Sequence, residues 1–492
     1  MIKKILTILN LLLTFTLVIL TLYIFNIIDI PFLHKTSEPG ETVLSPFGVT
    51  ETEQTPEETG EKVERKKSYD ELIKKGNLYY EKGFYNLAVD SYTQASNANP
   101  SKIEPLIRMG ELQLILGNYE QTKLMGERIV KLNPQTVQGK IISAKANIGL
   151  EAFQEAKNII DAVMSDEPEV AYLQGELALF TGEYERGRGL LNTVIQNNTN
   201  QNVTANAQKF IDAMNEFDTY SAGVHEHLKV LISKAYVLVD EPIMAKELLW
   251  NVVRTNREYR DAWIILGYSY LKIKKFQDAV DALTEAKRQD PENPQTLFYL
   301  GLAYAGADKT DEAIKELELA EKNGYEPKIH VEQKLAELYF QKEEYEKANN
   351  KYENVISLNP TDVDYFVRPL WVYIDKLNQP TKAVKLAEKA LLHNPNDPMS
   401  FNLIGWAQVA DNDFINAKKN LEKAIALNEK FNAPYLNLGW MFERQGNFNK
   451  AKEYYKKAYN LGTGDAVGDL AAQRYNALLL KENEHFMANI FN

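Results

Sequence analysis

Residues 260–291 read RDAWIILGYSYLKIKKFQDAVDALTEAKRQDP, and the spacing of their apolar residues indicates the fold class. Its apolar and small residues recur every three or four positions in both halves, at Trp263, Leu266, Gly267 and Tyr270 and then at Phe276, Ala279, Leu283 and Ala286. Such spacing places them on one face of an α-helix. Pro291 follows, and because proline lacks an N–H it ends the second helix. The stretch therefore predicts two helices joined by a turn.

The small residues of this stretch recur along the chain at a nearly constant interval. The positions equivalent to Ala279 are 34 or 35 residues apart, except for one step of 31 and one of 58, and they are Ala88, Thr122, Ala156, Gly187, Ala245, Ala279, Ala313, Ala348, Ala383, Ala417 and Ala451. A second set of residues lies twelve positions earlier, and all of them are small except Trp371. They are Gly76, Gly110, Ala144, Gly175, Ser233, Gly267, Gly301, Ala336, Trp371, Gly405 and Gly439. Paired small residues let two helices approach closely, so the interval predicts a solenoid of helix hairpins.

The repeated unit resembles the tetratricopeptide repeat, a pattern of roughly 34 residues that forms one helix hairpin. The resemblance rests on Trp263, Leu266, Gly267, Tyr270, Ala279, Ala286 and Pro291. It implies an all-α fold, a right-handed superhelix of about eleven hairpins over about four fifths of the chain. The units would begin near Tyr69, Ile103, Val137, Pro168, Glu226, Arg260, Pro294, Ile329, Asp364, Pro398 and Asn432. The fold hosts many roles and does not by itself assign a function.

An extra segment divides the array into units 1–4 at residues 67–200 and units 5–11 at residues 226–465. Residues 201–225 carry apolar side chains at helical spacing, at Val203, Ala207, Phe210, Met214 and Phe217. This spacing predicts an added amphipathic helix. The added helix would either cap one block and hinge it to the next, or serve as a docking element for a partner.

Two further features interrupt the regular pattern. The ninth unit carries Pro369 inside its first helix and Trp371 at a position that is usually small, so we expect a kinked or wider hairpin. After the eleventh unit, Gly462 and Gly464 break the chain. Residues 466–492 then predict a C-terminal helix that caps the last repeat, because an open repeat end would expose an apolar face.

The N-terminal segment has the pattern of a membrane anchor. Residues 5–28 contain no charge, and as a helix these 24 residues would span about 36 Å, more than the roughly 30 Å hydrocarbon layer. Lys3 and Lys4 precede the segment, which places a stub of residues 1–4 in the cytoplasm. No small-residue cleavage site follows. We therefore expect a single-pass protein of the inner (cytoplasmic) membrane, with its repeats in the periplasm or outside the cell.

Residues 29–66 predict a flexible acidic linker between the anchor and the repeats. From residue 36 to residue 66 the chain has six Thr, eight Glu and three Pro, with few large apolar residues. Such a composition buries too little surface to offset the entropy lost on ordering.

Composition excludes several classes of function. The 492 residues are 45% hydrophobic, which excludes wholesale disorder. A net charge of −12 opposes binding to nucleic acid. The chain has no cysteine, so disulfides, thiolate nucleophiles and zinc–cysteine sites are excluded.

Short motifs that resemble chemical sites are better explained as structural elements. Gly462, Gly464 and Gly468 follow a helix rather than a strand and predict a helix cap rather than a phosphate loop. His225 and His227 are too few ligands for a metal. Residues 411–413, Asp-Asn-Asp, predict a turn rather than a cation loop. We therefore expect no enzyme activity, no cofactor and no metal.

Glycosylation acceptor patterns occur at Asn197-x-Thr199 and Asn202-x-Thr204. They matter only if the chain crosses a eukaryotic secretory membrane, which the sequence does not decide.

The resemblance implies a binding surface on the concave face, which the first helix of each unit lines. The corresponding positions here are Ile264, Tyr268, Phe298, Leu302, His330, Phe340, Tyr365, Arg368, Trp406, Leu436 and Trp440. Aromatic residues with an occasional Arg are typical of protein contact sites, because they bury a large area at little cost in rotamer entropy. Packing of the same aromatic residues against neighbouring helices is the alternative.

Membership in one specialised branch of the family can be checked by comparing individual residues. Repeats that bind the C-terminal carboxylates of chaperones use Lys and Asn in the first unit, Asn in the second, and Lys and Arg in the third. The matching positions here are Ile73, Asn77, Arg108, Gln138 and Ile142, of which only Asn77 agrees. This comparison argues against a clamp for chaperone tails.

The sequence as a whole predicts a membrane-anchored, extracytoplasmic scaffold that binds other proteins or peptides. Its partners would belong to a cell-envelope assembly such as secretion, pilus, flagellar or cell-wall machinery. A periplasmic peptide-binding or chaperone-like protein is the alternative, and an enzyme built around His225 and Glu226 is a third hypothesis. The open ends of the repeat array would also allow homo-oligomers.

Overall fold

The computed structural model describes residues 68–220 and 224–490. Within these ranges the regular structure is entirely helical, with 24 α-helices, one 3₁₀-helix and one π-helix. The predicted all-α solenoid of helix hairpins is therefore confirmed. The described residues form two compact units that divide between Ala307 and Asp308.

The N-terminal unit contains six complete hairpins, one added helix and the first helix of a seventh hairpin. Its helices are α1 (Tyr69–Glu81), α2 (Tyr85–Ala98), α3 (Glu104–Ile115), α4 (Tyr119–Leu132), α5 (Val137–Gly149), α6 (Phe153–Asp161), α7 (Pro168–Phe180), α8 (Tyr184–Asn197), α9 (Gln201–Tyr220), α10 (His225–Leu238), α11 (Pro242–Thr255), α12 (Arg260–Lys272), α13 (Phe276–Gln289) and α14 (Pro294–Gly306).

The C-terminal unit begins with one helix and continues with four hairpins and a long last helix. Its elements are α15 (Thr310–Lys322), α16 (Lys328–Gln341), α17 (Tyr345–Leu358), a 3₁₀-helix (Val363–Phe366), α18 (Val367–Trp371), a π-helix (Val372–Lys376), α19 (Pro380–His393), α20 (Pro398–Ala410), α21 (Phe414–Leu427), α22 (Ala433–Arg444), α23 (Phe448–Leu461) and α24 (Ala466–Ile490).

Helix starts are explained by local sequence. Ser68 caps α1, since its hydroxyl accepts the N–H of Glu71 at 3.3 Å while the Glu71 carboxylate accepts the N–H of Ser68 at 2.9 Å. Pro168, Pro294 and Pro398 occupy the first positions of α7, α14 and α20. A proline costs little there, because the first N–H groups of a helix have no intrahelical partner.

One residue with positive φ marks every hairpin turn in the described part of the chain. Their φ angles lie between 51° and 85°, and each residue precedes the small residue of the second helix by five positions, at Gly83, Gly117, Glu151, Gly182, Asp240, Lys274, Asp308, Glu343, Asn378, Asn412 and Gly446. In the best-conforming repeat, the N–H of Lys274 donates to the carbonyl of Leu271 at 3.0 Å and that of Lys275 to Tyr270 at 2.9 Å. This left-handed cap ends the first helix and reverses the chain.

Within a hairpin, the two helices meet where the first carries its small residue. In seven hairpins this residue is a glycine. In five of these, a Cβ added to the glycine would lie within 2.9 Å of a large side chain sixteen positions later, on Tyr92, Leu191, Leu283, Leu421 or Tyr455. The small residues of the second helices, such as Ala88, Ala279 and Ala451, are fully buried. Close helix contact is therefore built into each repeat.

Helix α9 supplies the predicted added helix and packs inside the N-terminal unit. Ala207, Phe210 and Met214 are buried, and the ring of Phe210 lies 4.9 Å from that of Tyr236 on α10. The ammonium of Lys209 donates to the carbonyl of Leu238 at 2.9 Å. These contacts make α9 part of the core of one unit, and the division of the chain lies about ninety residues further on, inside the run predicted as units 5–11.

The ninth hairpin is broken where Pro369 was expected to disturb it. Its first arm changes from 3₁₀ to α to π within residues 363–376. The N–H of Leu377 donates to the carbonyl of Val372, five residues back, at 2.9 Å. The amide of Asn349 donates to the carbonyl of Pro369 at 3.2 Å, so this group has a partner despite the break.

The predicted stub, membrane helix and linker of residues 1–66 lie outside the described residues. Among the helices that the structure describes, none has the length and apolar character needed to cross a bilayer. The C-terminal helix α24 runs from Ala466 to Ile490, within the segment predicted to cap the array.

Substitution by alanine should change the free energy of unfolding in opposite directions at two helical glycines. Gly267→Ala is expected to lower the free energy of unfolding by about 1–3 kcal/mol, because the new Cβ would lie 2.4 Å from Leu283, which is fully buried. Gly189→Ala, in α8 with open space around it, should raise it by about 0.5–1 kcal/mol through helix propensity. Urea unfolding followed by circular dichroism measures both changes, and equal effects would contradict the close contact.

Candidate functional site

Five of the eleven residues predicted to line a binding surface are buried. Ile264, Tyr268, Phe298 and Leu302 lie in the N-terminal unit on α12 and α14, and His330 lies on α16 of the C-terminal unit. The ring of Tyr268 lies 5.0 Å from that of Tyr299, which places it in the core. Burial lowers the pKa of His330 to about 4. These side chains have little exposed surface to offer a partner.

The other six predicted residues are partly exposed, and all of them lie in the C-terminal unit. They are Phe340 on α16, Tyr365 in the 3₁₀-helix, Arg368 on α18, Trp406 on α20, and Leu436 and Trp440 on α22. The first arms of four successive hairpins therefore present a row of large apolar side chains with one Arg. We call these six residues the C-terminal row.

Aromatic rings and cations cluster around the break in the ninth hairpin. The guanidinium carbon of Arg368 lies 4.6 Å from the centre of the Phe340 ring and 5.6 Å from that of Trp371. The ammonium of Lys376 lies 5.3 Å from the Trp371 ring and 5.5 Å from the Tyr345 ring. The rings of Phe340 and Trp371 are 5.5 Å apart. We call these five residues the cation–aromatic cluster.

The repeat pattern identifies Phe340 and Arg368 but not the other members of this cluster. Trp371 stands out in the sequence only as a departure from that pattern, and Tyr345 and Lys376 lie outside the first-helix positions. The sequence feature that could have pointed to this cluster is the presence of both Pro369 and Trp371 in one unit. Irregular helical turns are frequent at functional sites, and this one brings Lys376 to the same indole as Arg368.

Trp406 and Trp440 are each partly buried against the core and partly exposed to solvent. Trp406 packs against the cluster that includes Leu370, Leu403 and Ala407, while part of its ring stays exposed. Trp440 packs against a second apolar cluster, and Arg444 lies 5.3 Å from its ring centre. Both interpretations of these tryptophans are therefore compatible with the structure, since each ring packs internally and still contributes to the surface.

A small open cavity lies elsewhere in the C-terminal unit, between α17 and α19. Its volume is about 260 Å³, and Glu353, Ile356, Ser357, Pro360, Leu386, Lys389 and His393 line it. This volume is below the range usual for drug-sized ligands. The hydroxyl of Tyr373 donates to Glu353 at 2.5 Å, so that carboxylate already serves to pack the hairpin.

The most unusual polar group of the N-terminal unit is Glu176 on α7. Its side chain is 0% exposed, and among the described residues neither carboxylate oxygen makes a hydrogen bond of good geometry. Burial, and secondly the charge of Glu241, hold the pKa of Glu176 well above its usual range. Burial of its carboxyl group likewise raises the pKa of Glu241 to about 7. The hydroxyl of Tyr236 donates to the backbone carbonyl of Glu176 at 2.5 Å.

The short motifs have structural roles in the described residues. Gly464 has a φ of 88° in the turn after α23, and the N–H of Gly468 donates to the carboxylate of Asp465 at 2.7 Å. Asp413 accepts the N–H of Asn416 at 3.2 Å and so caps α21. The carbonyl oxygen of the Asn77 side chain accepts the hydroxyl of Tyr92 at 2.7 Å, inside the first hairpin.

The two histidines near the added helix contact aromatic residues of two separate segments, Tyr184 on α8 and Tyr259 in the loop before α12. The ring of His225 stacks on that of Tyr184 with centres 6.4 Å apart. Nδ1 of His227 lies 2.5 Å from the hydroxyl of Tyr259. Within the described residues, no group of three or more His, Cys, Asp or Glu is arranged to hold a metal ion.

Sequence models of the tetratricopeptide repeat match residues 245–294, 266–327, 400–431 and 433–461. The periodic hairpins and these matches agree, and within the matched residues the chain carries tetratricopeptide repeats.

The chain is similar to two characterised relatives. The TPR repeat-containing protein YpiA of Bacillus subtilis is 21% identical over 340 residues, which are 65% of this chain and 78% of the relative. The peroxisomal targeting signal receptor of Saccharomyces cerevisiae is 23% identical over 233 residues, which are 45% of this chain and 37% of the receptor. The match thus spans little more than a third of that receptor.

Solved structures of other repeat proteins are similar at low identity. Yeast Tom70 aligns with 84% of this chain and 96% of its own at 14% identity, with a TM-score of 0.30. The C-terminal part of a TPR repeat-containing protein from Cytophaga hutchinsonii aligns with 49% of this chain and 98% of its own, at 14% identity and a TM-score of 0.41.

Replacing the buried carboxyl of Glu176 should change how stability depends on pH. A carboxyl whose folded pKa is raised stabilises the fold below the unfolded pKa, and this contribution is lost as pH rises through the folded pKa. Because Gln stays neutral, Glu176→Gln should be more stable than the native protein at about pH 8, with a smaller difference at about pH 5.

Urea unfolding at both pH values measures this effect. Glu185→Gln, an exposed change on the neighbouring α8, is the matched control and should leave the pH dependence as it is. A pH-independent difference between the native protein and Glu176→Gln would contradict the assignment.

Proposed function

We propose that this chain is a scaffold that binds other proteins through the C-terminal row. The observation that carries the proposal is the contrast in exposure between the two units. The predicted contact residues of the N-terminal unit are buried, whereas six in the C-terminal unit keep part of their surface in solvent. Partly exposed aromatic residues with Arg are the composition that protein contact sites favour.

The tetratricopeptide repeats support binding rather than chemistry. Arg368 lies over the Phe340 ring, and Trp406, Leu436 and Trp440 offer shape and apolar area. The proposal therefore assigns no reaction, cofactor or metal to the chain.

We further propose that residues 5–28 anchor the scaffold in the inner membrane. The 24 uncharged residues exceed the length that a bilayer requires, and Lys3 and Lys4 favour a cytoplasmic N-terminus. The linker of residues 29–66 would then join the anchor to repeats in the periplasm or outside the cell. Partners in that compartment would belong to a cell-envelope assembly such as secretion, pilus, flagellar or cell-wall machinery.

A crosslinked pull-down of the full-length protein from its native membrane tests the contact surface. Trp406→Leu combined with Trp440→Leu should reduce recovery of the partner by about tenfold, because each ring contributes apolar area that Leu replaces only in part. Tyr268→Phe, at a buried position, is the control and should recover the partner as the native protein does.

Equal recovery with the double tryptophan variant would show that the C-terminal row is not the contact surface. One stoichiometric partner fits a scaffold, whereas many unrelated unfolded clients would instead favour a peptide-binding or chaperone-like protein. Circular dichroism of each variant separates loss of binding from loss of fold.

Protease treatment of intact spheroplasts tests the anchor and its orientation. We expect added protease to degrade the repeats without lysis, since the charge asymmetry favours an external position for them. Lys3→Glu with Lys4→Glu should reduce this exposure by weakening the orientation signal, while Lys62→Glu, beyond the apolar segment, is the control. Repeats that stay protected in the native protein until lysis would contradict the proposed topology.

A further inference from the structure

We propose that the second helices of hairpins nine to eleven bind an anionic lipid surface. These helices are α19, α21 and α23, and we call their exposed side the basic face. The inference goes beyond the proposed scaffold function, because it gives the array a second binding surface and a partner of a different class. It rests on the charge and exposure of described residues and does not depend on the anchor proposed for residues 5–28.

Charge is divided unevenly between the two arms of these hairpins. Residues 363–461 carry fourteen Lys and Arg against ten Asp and Glu, whereas the whole chain has a net charge of −12. The three second helices contain ten of these cations, all of them lysines, and only three of the carboxylates. The other seven carboxylates lie in the first arms and the turns. The positive excess is therefore confined to one arm of each hairpin.

The excess is specific to the last three hairpins. The second helices of hairpins six to eight, α13, α15 and α17, carry six Lys and Arg against ten Asp and Glu. A requirement for solubility applies to every hairpin alike, and charge of either sign would meet it. Solubility therefore does not explain why the sign reverses in hairpins nine to eleven.

Lysines occupy equivalent positions in the three helices. Lys389, Lys423 and Lys457 are 34 residues apart, and each follows the buried small residue of its helix by six positions. All three side chains are exposed. Because each hairpin is one repeated structural unit, matching residues recur at the same place on successive hairpins. We call these three residues the lysine ladder.

Nearby carboxylates offset only part of this charge. Lys389 pairs with Glu353 at 3.8 Å, and Lys418 pairs with Glu422 at 3.6 Å. Among the described residues, Lys423 has no carboxylate oxygen within 4.0 Å. The count of ten lysines against three carboxylates already includes Glu422, so pairs formed within the three helices leave the excess unchanged. Pairing with Glu353 removes one charge from it at most.

Large apolar side chains lie among the lysines of the basic face. Leu392 and Ile415 are 76% and 86% exposed. Leu392 follows Lys389 by three positions and Ile415 precedes Lys419 by four, so each shares a helix face with a lysine. Lysines combined with single exposed apolar residues are typical of helices that lie on anionic bilayers.

The type of cation also favours lipid over a single bound peptide. Arg is the usual choice where one carboxylate or phosphate is held in a fixed bidentate geometry. Lysine is a compact charge on a flexible stem, which suits a diffuse layer of headgroups. The basic face contains lysines alone, spread over three helices.

Energy transfer in proteoliposomes of the full-length protein tests the inference. Because the chain has no cysteine, Ala426→Cys, at an exposed position of α21, accepts a single donor dye. The vesicles contain phosphatidylcholine with an acceptor dye on a small share of headgroups, either alone or mixed with phosphatidylglycerol. We expect at least about twofold higher transfer efficiency with phosphatidylglycerol, and we expect added salt to remove the difference by screening.

Charge removal in the protein provides the matching test. Lys389→Gln, Lys423→Gln and Lys457→Gln, combined in the labelled protein, should lower transfer to the level seen without phosphatidylglycerol. All three changes are at exposed side chains, and circular dichroism checks that the helices are retained.

The control removes the same charge from the first two hairpins. It combines three exposed substitutions, Lys74→Gln, Lys82→Gln and Lys131→Gln. Transfer in this control should keep its dependence on phosphatidylglycerol, because the lysine ladder is intact.

Two results would overturn the lipid-binding face. One is equal transfer in the two kinds of vesicle, and the other is unchanged transfer after substitution of the lysine ladder. Transfer that rises with protein density and ignores lipid charge would place an acidic segment of a second copy on this face, and it too would overturn the inference. The scaffold proposal is tested separately, because it depends on partner recovery with the Trp406 and Trp440 variants.

Discussion

Close approach of paired helices is the constraint on which the whole array depends. A first helix and a second helix can pack tightly only if small residues stand at their contact, and only if the chain reverses sharply between them. The left-handed residue at each turn provides the reversal and lies five positions before the small residue of the second helix, as Lys274 does before Ala279. The turn and the helix contact are thus always five residues apart, and both recur once in each repeat of roughly 34 residues.

The ninth hairpin shows the effect of relaxing this constraint. Trp371 occupies the position of a small residue, and Pro369 removes one backbone donor from the first arm. The arm changes to a π-helix after Trp371, and the amide of Asn349 provides a partner for the carbonyl of Pro369. The indole remains partly exposed, with Arg368 and Lys376 beside it. A local loss of regular packing has therefore created the most distinctive surface of the C-terminal unit.

Charged side chains of the array lie in contrasting surroundings. In the N-terminal unit, Glu176 lies wholly inside the core and is held towards its neutral form by burial and by Glu241. In the C-terminal unit, Arg368 and Arg444 keep part of their side chains in solvent and lie over aromatic rings. A buried neutral acid adds nothing to recognition, whereas a cation over a partly exposed ring offers both charge and apolar area.

Helical periodicity and small residues are local signals, and they therefore predict the number of hairpins, their spacing, the added helix at α9 and the disturbed ninth unit. The sequence did not reveal the positive φ of residues such as Glu151 and Lys274, since only some of the turns carry glycine. Tertiary structure alone decided exposure: Tyr268 and Trp440 occupy comparable first-helix positions, yet one is buried and the other is not. Whether a side chain is buried depends on how the neighbouring helices cover it, and the placement of those helices depends on contacts between residues far apart in the sequence.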